Sequence, residues 1–353
     1  MSGILRYSVL FAVFVVATSF VSCSKSEDGG NPPVQPPNPP PQEQLHLRGL
    51  CYGPFRDGES PEHRIFPTPE EMEDDLRLIA RFADKVRTYG VGDTLGLIPG
   101  ICQQLGLQCY PGAWLSIYNR DNEAEITALQ NLAAQGLDAI KGLIVGNEVL
   151  LREDMSVDEL IGYIRRVAQA TDIPVTTAEP PQSWLNNPQL GDEVDFILVH
   201  LHPYWDGSPI GQAVDRVMEQ YGQLQARFPG KRIVIGETGW PSAGEVRGQA
   251  RPSPENLHAF LVEFVQRAQQ ADLDYFYFEA FDEQWKATDE GTVGAHWGLY
   301  ESGGELKSVL TGLLPAGINR PRRVVEAVNT GVPLVVWAEP DQAAFWPSGW
   351  MGA

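Results

Sequence analysis

Cysteine is scarce, with four in 353 residues. That is too few for a disulfide scaffold, and the spacing offers no CxxC pair and no nearby His cluster of the kind that holds zinc. Cys51, Cys102 and Cys109 are expected as buried thiols, with a Cys102–Cys109 disulfide as the alternative. Basic residues are few as well: 26 Lys and Arg stand against 46 Asp and Glu, a net charge of −20. A surface of that sign repels phosphate backbones, so nucleic acid is excluded as an expected partner, whereas a neutral substrate carries no such penalty. The chain lacks a G-x-G-x-x-G turn, a Walker loop and a serine nucleophile elbow, so no nucleotide or other cofactor is expected. Long apolar runs are missing too, apart from residues 7–22, and that one is short for a membrane-spanning helix.

What is present divides the chain into four parts. Residues 1–22, with Arg6 ahead of the apolar run YSVLFAVFVVATSFVS, read as a secretory signal. The run ends in Phe20-Val21-Ser22-Cys23, which resembles a bacterial lipobox. That resemblance implies a lipidated Cys23 and a membrane anchor in the bacterial envelope, either periplasmic or surface-facing; simple cleavage after Ser22 with release is the alternative. Residues 23–44 follow with a polar, acidic stretch similar to export tethers of surface lipoproteins, then NPPVQPPNPPPQEQ, a polyproline spacer that cannot form a core. Residues 45–314 read as one catalytic domain, expected to be monomeric. Residues 315–353 form a tail that includes Arg320-Pro321-Arg322-Arg323, Trp337, Trp346 and Trp350, expected to pack on that domain.

From Leu45 onward, short apolar runs alternate with amphipathic stretches. Eight strands are expected within 47–53, 84–90, 107–115, 140–148, 174–179, 194–205, 231–241 and 273–283. Helices are expected at 67–83, near 121–136, and at 156–170, 210–227 and 255–271, with an imperfect one after residue 94. The strand starts recur about every 32 residues, the size of one βα repeat. Apolar strands without strict alternation, separated by helices, call for a parallel sheet covered on its faces. Eight such units close into an α/β (β/α)8 barrel. An open doubly wound sheet is the alternative, and it would need a phosphate-binding glycine turn after the first strand, where CYGPFRDG stands instead.

Chemistry in such a barrel belongs at the C-terminal ends of the strands. Those ends carry acids and aromatics, among them Tyr52, Tyr89, Trp114, Asn147, Tyr204, Trp240 and Glu279. His200 and His202 project alike from one strand, but no third ligand is evident and no metal is expected. Apolar strands run straight into two acids, Glu148 after Leu143–Asn147 and Glu237 after Ile233–Gly236. Three repeats separate them, so in a closed ring they face each other across the mouth. Such acids could simply cap loops; opposed and ringed by aromatics, they read as a protonated acid and an ionised nucleophile.

Val145-Gly146-Asn147-Glu148-Val149 and Ile235-Gly236-Glu237-Thr238-Gly239-Trp240-Pro241-Ser242 resemble the two signatures of glycoside hydrolase family 17, the β-1,3-glucanases. The likeness continues through Phe278-Glu279-Ala280-Phe281-Asp282-Glu283-Gln284-Trp285-Lys286 to His296-Trp297-Gly298-Leu299-Tyr300. The resemblance implies a retaining hydrolase acting on a β-1,3-glucan, with Glu148 as general acid/base and Glu237 as nucleophile. It also implies a sugar site at Tyr89, an auxiliary acid–lysine–acid group at Glu283, Lys286 and Glu290, and aromatic sugar contacts at Tyr204 and Trp205. Tyr52, Asn147 and Trp240 complete the expected substrate-binding set. Glucanosyl transfer through the same intermediate is the alternative, and a non-catalytic glycan-binding lipoprotein is a further one.

Overall fold

The computed structural model describes residues 44–323. The signal, Cys23, the Pro-rich spacer and the three tail tryptophans lie outside the described residues. Nine short parallel strand segments form the sheet: β1 Leu50–Cys51, β2 Lys85–Arg87, β3 Gln108–Tyr110, β4 Gly112–Ala113, β5 Leu143–Asn147, β6 Val175–Glu179, β7 Ile197–His200, β8 Ile233–Thr238 and β9 Asp274–Tyr277. They pair in the order β3-β2-β1-β9-β8-β7-β6-β5-β4. Pro111 alone separates β3 from β4. It has no N–H for the ladder, but its carbonyl still accepts from Ile144 N at 3.0 Å, and Cys109 N donates to Ala139 O at 2.8 Å. Gln108–Ala113 therefore works as one interrupted strand that bonds both neighbours, and eight strands close the (β/α)8 barrel.

Among the described residues, seven helices cover the ring: α1 Pro69–Ile79, α2 Ile98–Leu105, α3 Asn119–Ala133, α4 Val157–Ala168, α5 Pro181–Asn186, α6 Ile210–Arg227 and α7 Pro254–Gln270. Their starts follow from sequence chemistry. Thr68 with Glu71 and Ser156 with Glu159 form reciprocal capping boxes, and Pro69 and Pro254 take first-turn positions where a missing N–H costs nothing. Met72, Leu76 and Ile79 of α1 face the sheet, as their spacing predicts. All three cysteines of the barrel are buried free thiols.

Three expectations change. The strand expected over 194–205 forms only at Ile197–His200: Leu201 N still bonds the Glu237 carbonyl of β8 at 2.8 Å, but Pro203 cannot extend the ladder. The short α5 was not foreseen; it is built around buried Trp184, whose indole donates to Leu198 O at 3.2 Å. After β9 no long helix follows among the described residues, only 3-10 turns at Gln284–Thr288, Gly291–His296 and Ser308–Leu310. Arg320, in the described start of the tail, is buried against Asp75 of α1.

Candidate active site

The two acids arrive by different backbone routes. The β5–β6 register shifts between Ile144 and Asn147. Gly146 at φ 81° and Glu148 at φ 54° both occupy the left-handed region, a conformation that costs an ordinary side chain roughly 1–2 kcal/mol. The kink is held because Glu148 N donates to Ala178 O at 2.7 Å. Glu237 lies inside β8, one residue before its end, at a register shift between β7 and β8 where it pairs with His200. Such bulges re-aim side chains at strand ends. One ligand-type atom from each of Glu148, His200 and Glu237 lies within 4.8 Å of the other two.

His200 stands between the carboxylates. Its Nδ1 is 2.6 Å from Glu148 Oε1, and its Nε2 is 3.4 Å from Glu237 Oε1. Arg87, fully buried, lies below them; its Nη1 reaches His200 Nε2 at 2.7 Å and Gly236 O at 3.1 Å, and its Nη2 donates to Asn147 Oδ1 at 2.7 Å. Spending the Asn147 carbonyl on Arg87 leaves the amide NH2, a pure donor, for the cavity that Asn147 lines. Glu237 Oε1 also accepts from Tyr89 OH at 2.9 Å, and Oε2 from His202 Nε2 at 3.0 Å. Burial alone would push the Glu237 carboxyl up, but the hydrogen bond from His202 and the charge of Arg87, joined by His200 when that ring is protonated, outweigh it and hold the group well below the usual carboxylate range. Burial holds the Tyr89 phenol far above its ordinary value, so it stays a donor.

Among the described residues, Glu148 and Glu237 therefore join His200 as groups that could hold a metal ion, partners that the sequence did not reveal. A cation there would meet the fixed charge of Arg87, and both nitrogens of His200 already have partners. The donor set fits a proton-handling site better than a metal centre.

Beside this cluster opens a cavity of about 350 Å³, within the usual range for small-ligand sites. Tyr52, Tyr89, Asn147, Glu237, Glu283, Lys286 and Glu290 line it. Glu148 stands next to that wall rather than in it, and is only 3% exposed. Lys286 bonds Glu279 and sits 2.7 Å from Glu283 Oε2. Burial opposes the ammonium charge, yet the surrounding Glu279, Glu283 and Glu290 raise its pKa. Burial pushes Glu290 up to about 8, so its carboxyl can donate as well as accept at neutral pH.

Two expected sugar contacts are corrected. Tyr204 and Trp240 are 1% and 0% exposed and lie outside the cavity wall. Tyr204 OH donates to Glu245 O at 2.9 Å and Trp240 Nε1 to Arg251 O at 3.1 Å, so their polar ends are spent on backbone. Their rings pack on each other and on Trp297 and Phe260. Trp205 is half-buried beside Tyr204 and Trp297. Tyr52 lines the cavity, but its hydroxyl is committed to Asp75 at 3.1 Å. The wall instead uses Phe55, Phe66, Trp114 and Trp285. Arg87 and His200 were legible only as polar residues within apolar strands, which is the signal that marks them.

Residues 49–298 match the BtgE/BtgC glycoside hydrolase domain family. A glucan 1,3-beta-glucosidase of Schizosaccharomyces pombe is 30% identical over 258 residues, which are 66% of this chain and 78% of that protein. A putative glucan endo-1,3-beta-glucosidase btgC of Aspergillus niger is 28% identical over 274 residues, and the match spans only 40% of its length. Among solved structures, the glycoside hydrolase family 17 beta-1,3-glucanosyltransferase of Rhizomucor miehei superposes with a TM-score of 0.68 at 32% identity, covering 76% of this chain and 98% of that one.

Proposed function

The chain belongs to the BtgE/BtgC branch of glycoside hydrolase family 17, and we propose that it cleaves β-1,3-glucan with retention of anomeric configuration. One observation carries this: Glu148 and Glu237 present oxygens within 4.8 Å of each other beside a neutral-substrate-sized cavity. Retaining pairs stand about 5–5.5 Å apart, whereas inverting pairs need about 6.5–9.5 Å to admit a water. Glu237, held ionised, attacks the anomeric carbon. Glu148 delivers a proton to the departing glycosidic oxygen, and the glycosyl-enzyme ester forms. Glu148 then takes a proton from water, which attacks the same carbon and releases the sugar. The Asn147 amide serves the sugar 2-hydroxyl, where hydrogen bonds strengthen as positive charge develops. Trp114 and Trp285 offer faces to the glucose rings.

Glu237→Ala should lower turnover of laminarin by at least about a thousandfold while the far-UV spectrum stays unchanged. Retention of more than a few per cent of wild-type rate would overturn the assignment. A sugar hydroxyl in place of water would make the chain a glucanosyltransferase, and the similarity to the Rhizomucor enzyme favours testing for it. Sizing the products from a laminari-oligosaccharide separates the outcomes, because only transfer yields chains longer than the substrate. We propose also that Cys23 is lipidated and anchors the enzyme in the envelope, on the strength of the apolar run before it. Palmitate labelling that persists in Cys23→Ser would refute this.

A further inference from the structure

We propose that His200 is the positioning residue that assigns the transferred proton to one oxygen of Glu148, Oε2. This rests on the assignment of Glu148 as the acid. A guanidinium only donates, so the 2.7 Å contact from Arg87 Nη1 makes His200 Nε2 an acceptor. The ring proton therefore sits on Nδ1 and points at Glu148 Oε1, 2.6 Å away. An oxygen that accepts this bond cannot hold the acid's own proton along the same line. Oε2 is buried and has no hydrogen-bond partner among the described residues. Oε2 is thus the atom left for the glycosidic oxygen.

The proton balance follows from this arrangement. In the first step the Oε2–H bond breaks and an O–H bond forms on the leaving sugar. The C1–O electron pair goes to that oxygen, and Glu237 closes the new bond to C1. In the second step water gives its proton to Oε2 and its oxygen to C1, and the Glu237 ester bond breaks. The Nδ1–H bond to Oε1 persists through both steps. It accommodates a neutral acid and strengthens when Glu148 becomes a carboxylate, since charge-assisted bonds are the stronger ones. His200 also contacts Glu237 at 3.4 Å, so the test must separate help to the acid from help to the nucleophile.

Leaving-group chemistry separates them. A dinitrophenolate departs without protonation, whereas a glucosyl oxygen needs the acid. In His200→Phe, kcat/KM for laminaritriose is expected to fall at least about a hundredfold, the scale of general acid catalysis. For dinitrophenyl β-laminaribioside the fall should stay under about tenfold. His200→Asn, which keeps an N–H donor near the Nδ1 position, should recover part of the loss; it also carries the comparison if the Phe variant does not fold. Equal losses on both substrates would overturn the proposal, as would no loss on laminaritriose. A second readout does not depend on turnover: 15N NMR of the six histidines, with the His200 signal identified by its loss in His200→Asn. An Nδ1–H tautomer is expected, and an Nε2–H tautomer overturns the assignment. If the wild type cleaves neither substrate, the glucanase reading fails while the tautomer still decides the geometry.

Discussion

Glu179 has no part in the double displacement, yet it ends β6 beside the acid. Its Oε1 accepts from Leu150 N at 2.8 Å, which steadies the turn that carries Glu148. Burial pushes its carboxyl from 4.5 up to about 8. A raised carboxyl binds its proton more tightly folded than unfolded. Its stabilising effect is complete below about pH 4.5 and is lost as pH climbs toward 8. Glu179→Gln keeps the acceptor and removes the titration. Its melting temperature should therefore fall less between pH 5 and pH 8 than that of the wild type, with a difference on the order of a few kcal/mol at the alkaline end. Parallel melting curves for the two proteins would show that Glu179 does not titrate in that window. At this scale the sequence revealed motifs better than environments. Glu148, Glu237 and Asn147 stood out because apolar strands lead into them. Tyr204 and Trp240 were misread because a buried aromatic and a sugar platform look the same in one dimension, and only the bonds to Glu245 and Arg251 carbonyls tell them apart.

The strands owe their catalytic use to irregularity at one end. Register shifts occur in β5–β6, β7–β8 and β8–β9, the strand pairs that carry Asn147, His200 and Glu237. Glycine precedes each acid's motif for a different reason. Gly146 supplies a left-handed kink, whereas Gly236 supplies room. A Cβ on Gly236 would lie 2.8 Å from Leu198, 3.0 Å from Arg87 Nη1 and 3.0 Å from His200 Cδ2. Gly236→Ala should cost about 1–3 kcal/mol of stability, as overpacking does. It should lower kcat more than it raises KM, because two of the three displaced groups serve the reacting carboxylates. A variant with wild-type kcat would mean that Arg87 and His200 tolerate displacement. The alternation of strands and helices was readable along the chain, since period and capping are local properties. The break at Pro111, the truncated strand at Leu201 and the 3-10 turns after β9 were not, because each depends on which neighbour the freed backbone groups find.

Barrel closure brings residues from early and late in the described segment to one clasp. Asp75 of α1 is fully buried and meets three partners: Arg56 at 3.1 Å, Tyr52 OH at 3.1 Å and Arg320 through two bonds of 3.0 and 3.1 Å. Arg320 also donates to Pro54 O at 3.0 Å, in the loop that leads from β1 into the cavity wall. Arg323 continues the clasp to Glu59 at 2.7 Å and Glu71 at 2.6 Å. The sequence placed this segment in a tail expected to pack on the barrel without identifying its partner, because nothing in Arg-Pro-Arg-Arg names the acid 245 positions away. Removing one side of a buried pair leaves an uncompensated charge, which costs about 3–5 kcal/mol. Arg56 remains in Arg320→Ala, so the low end of that range is expected from urea midpoints at pH 7. Burial already raises the Asp75 carboxyl, and Arg320 is the largest influence holding it down. In the variant Asp75 binds a proton more readily, and the deficit should shrink as the pH falls and Asp75 becomes neutral in both proteins. Charge rather than shape then accounts for the clasp, and Asp75→Asn combined with Arg320→Met should recover most of the loss. A deficit that stays constant from pH 7 down to pH 4 would instead assign the cost to lost packing of the Arg320 side chain over Phe281, whose ring centre lies 3.9 Å from the guanidinium.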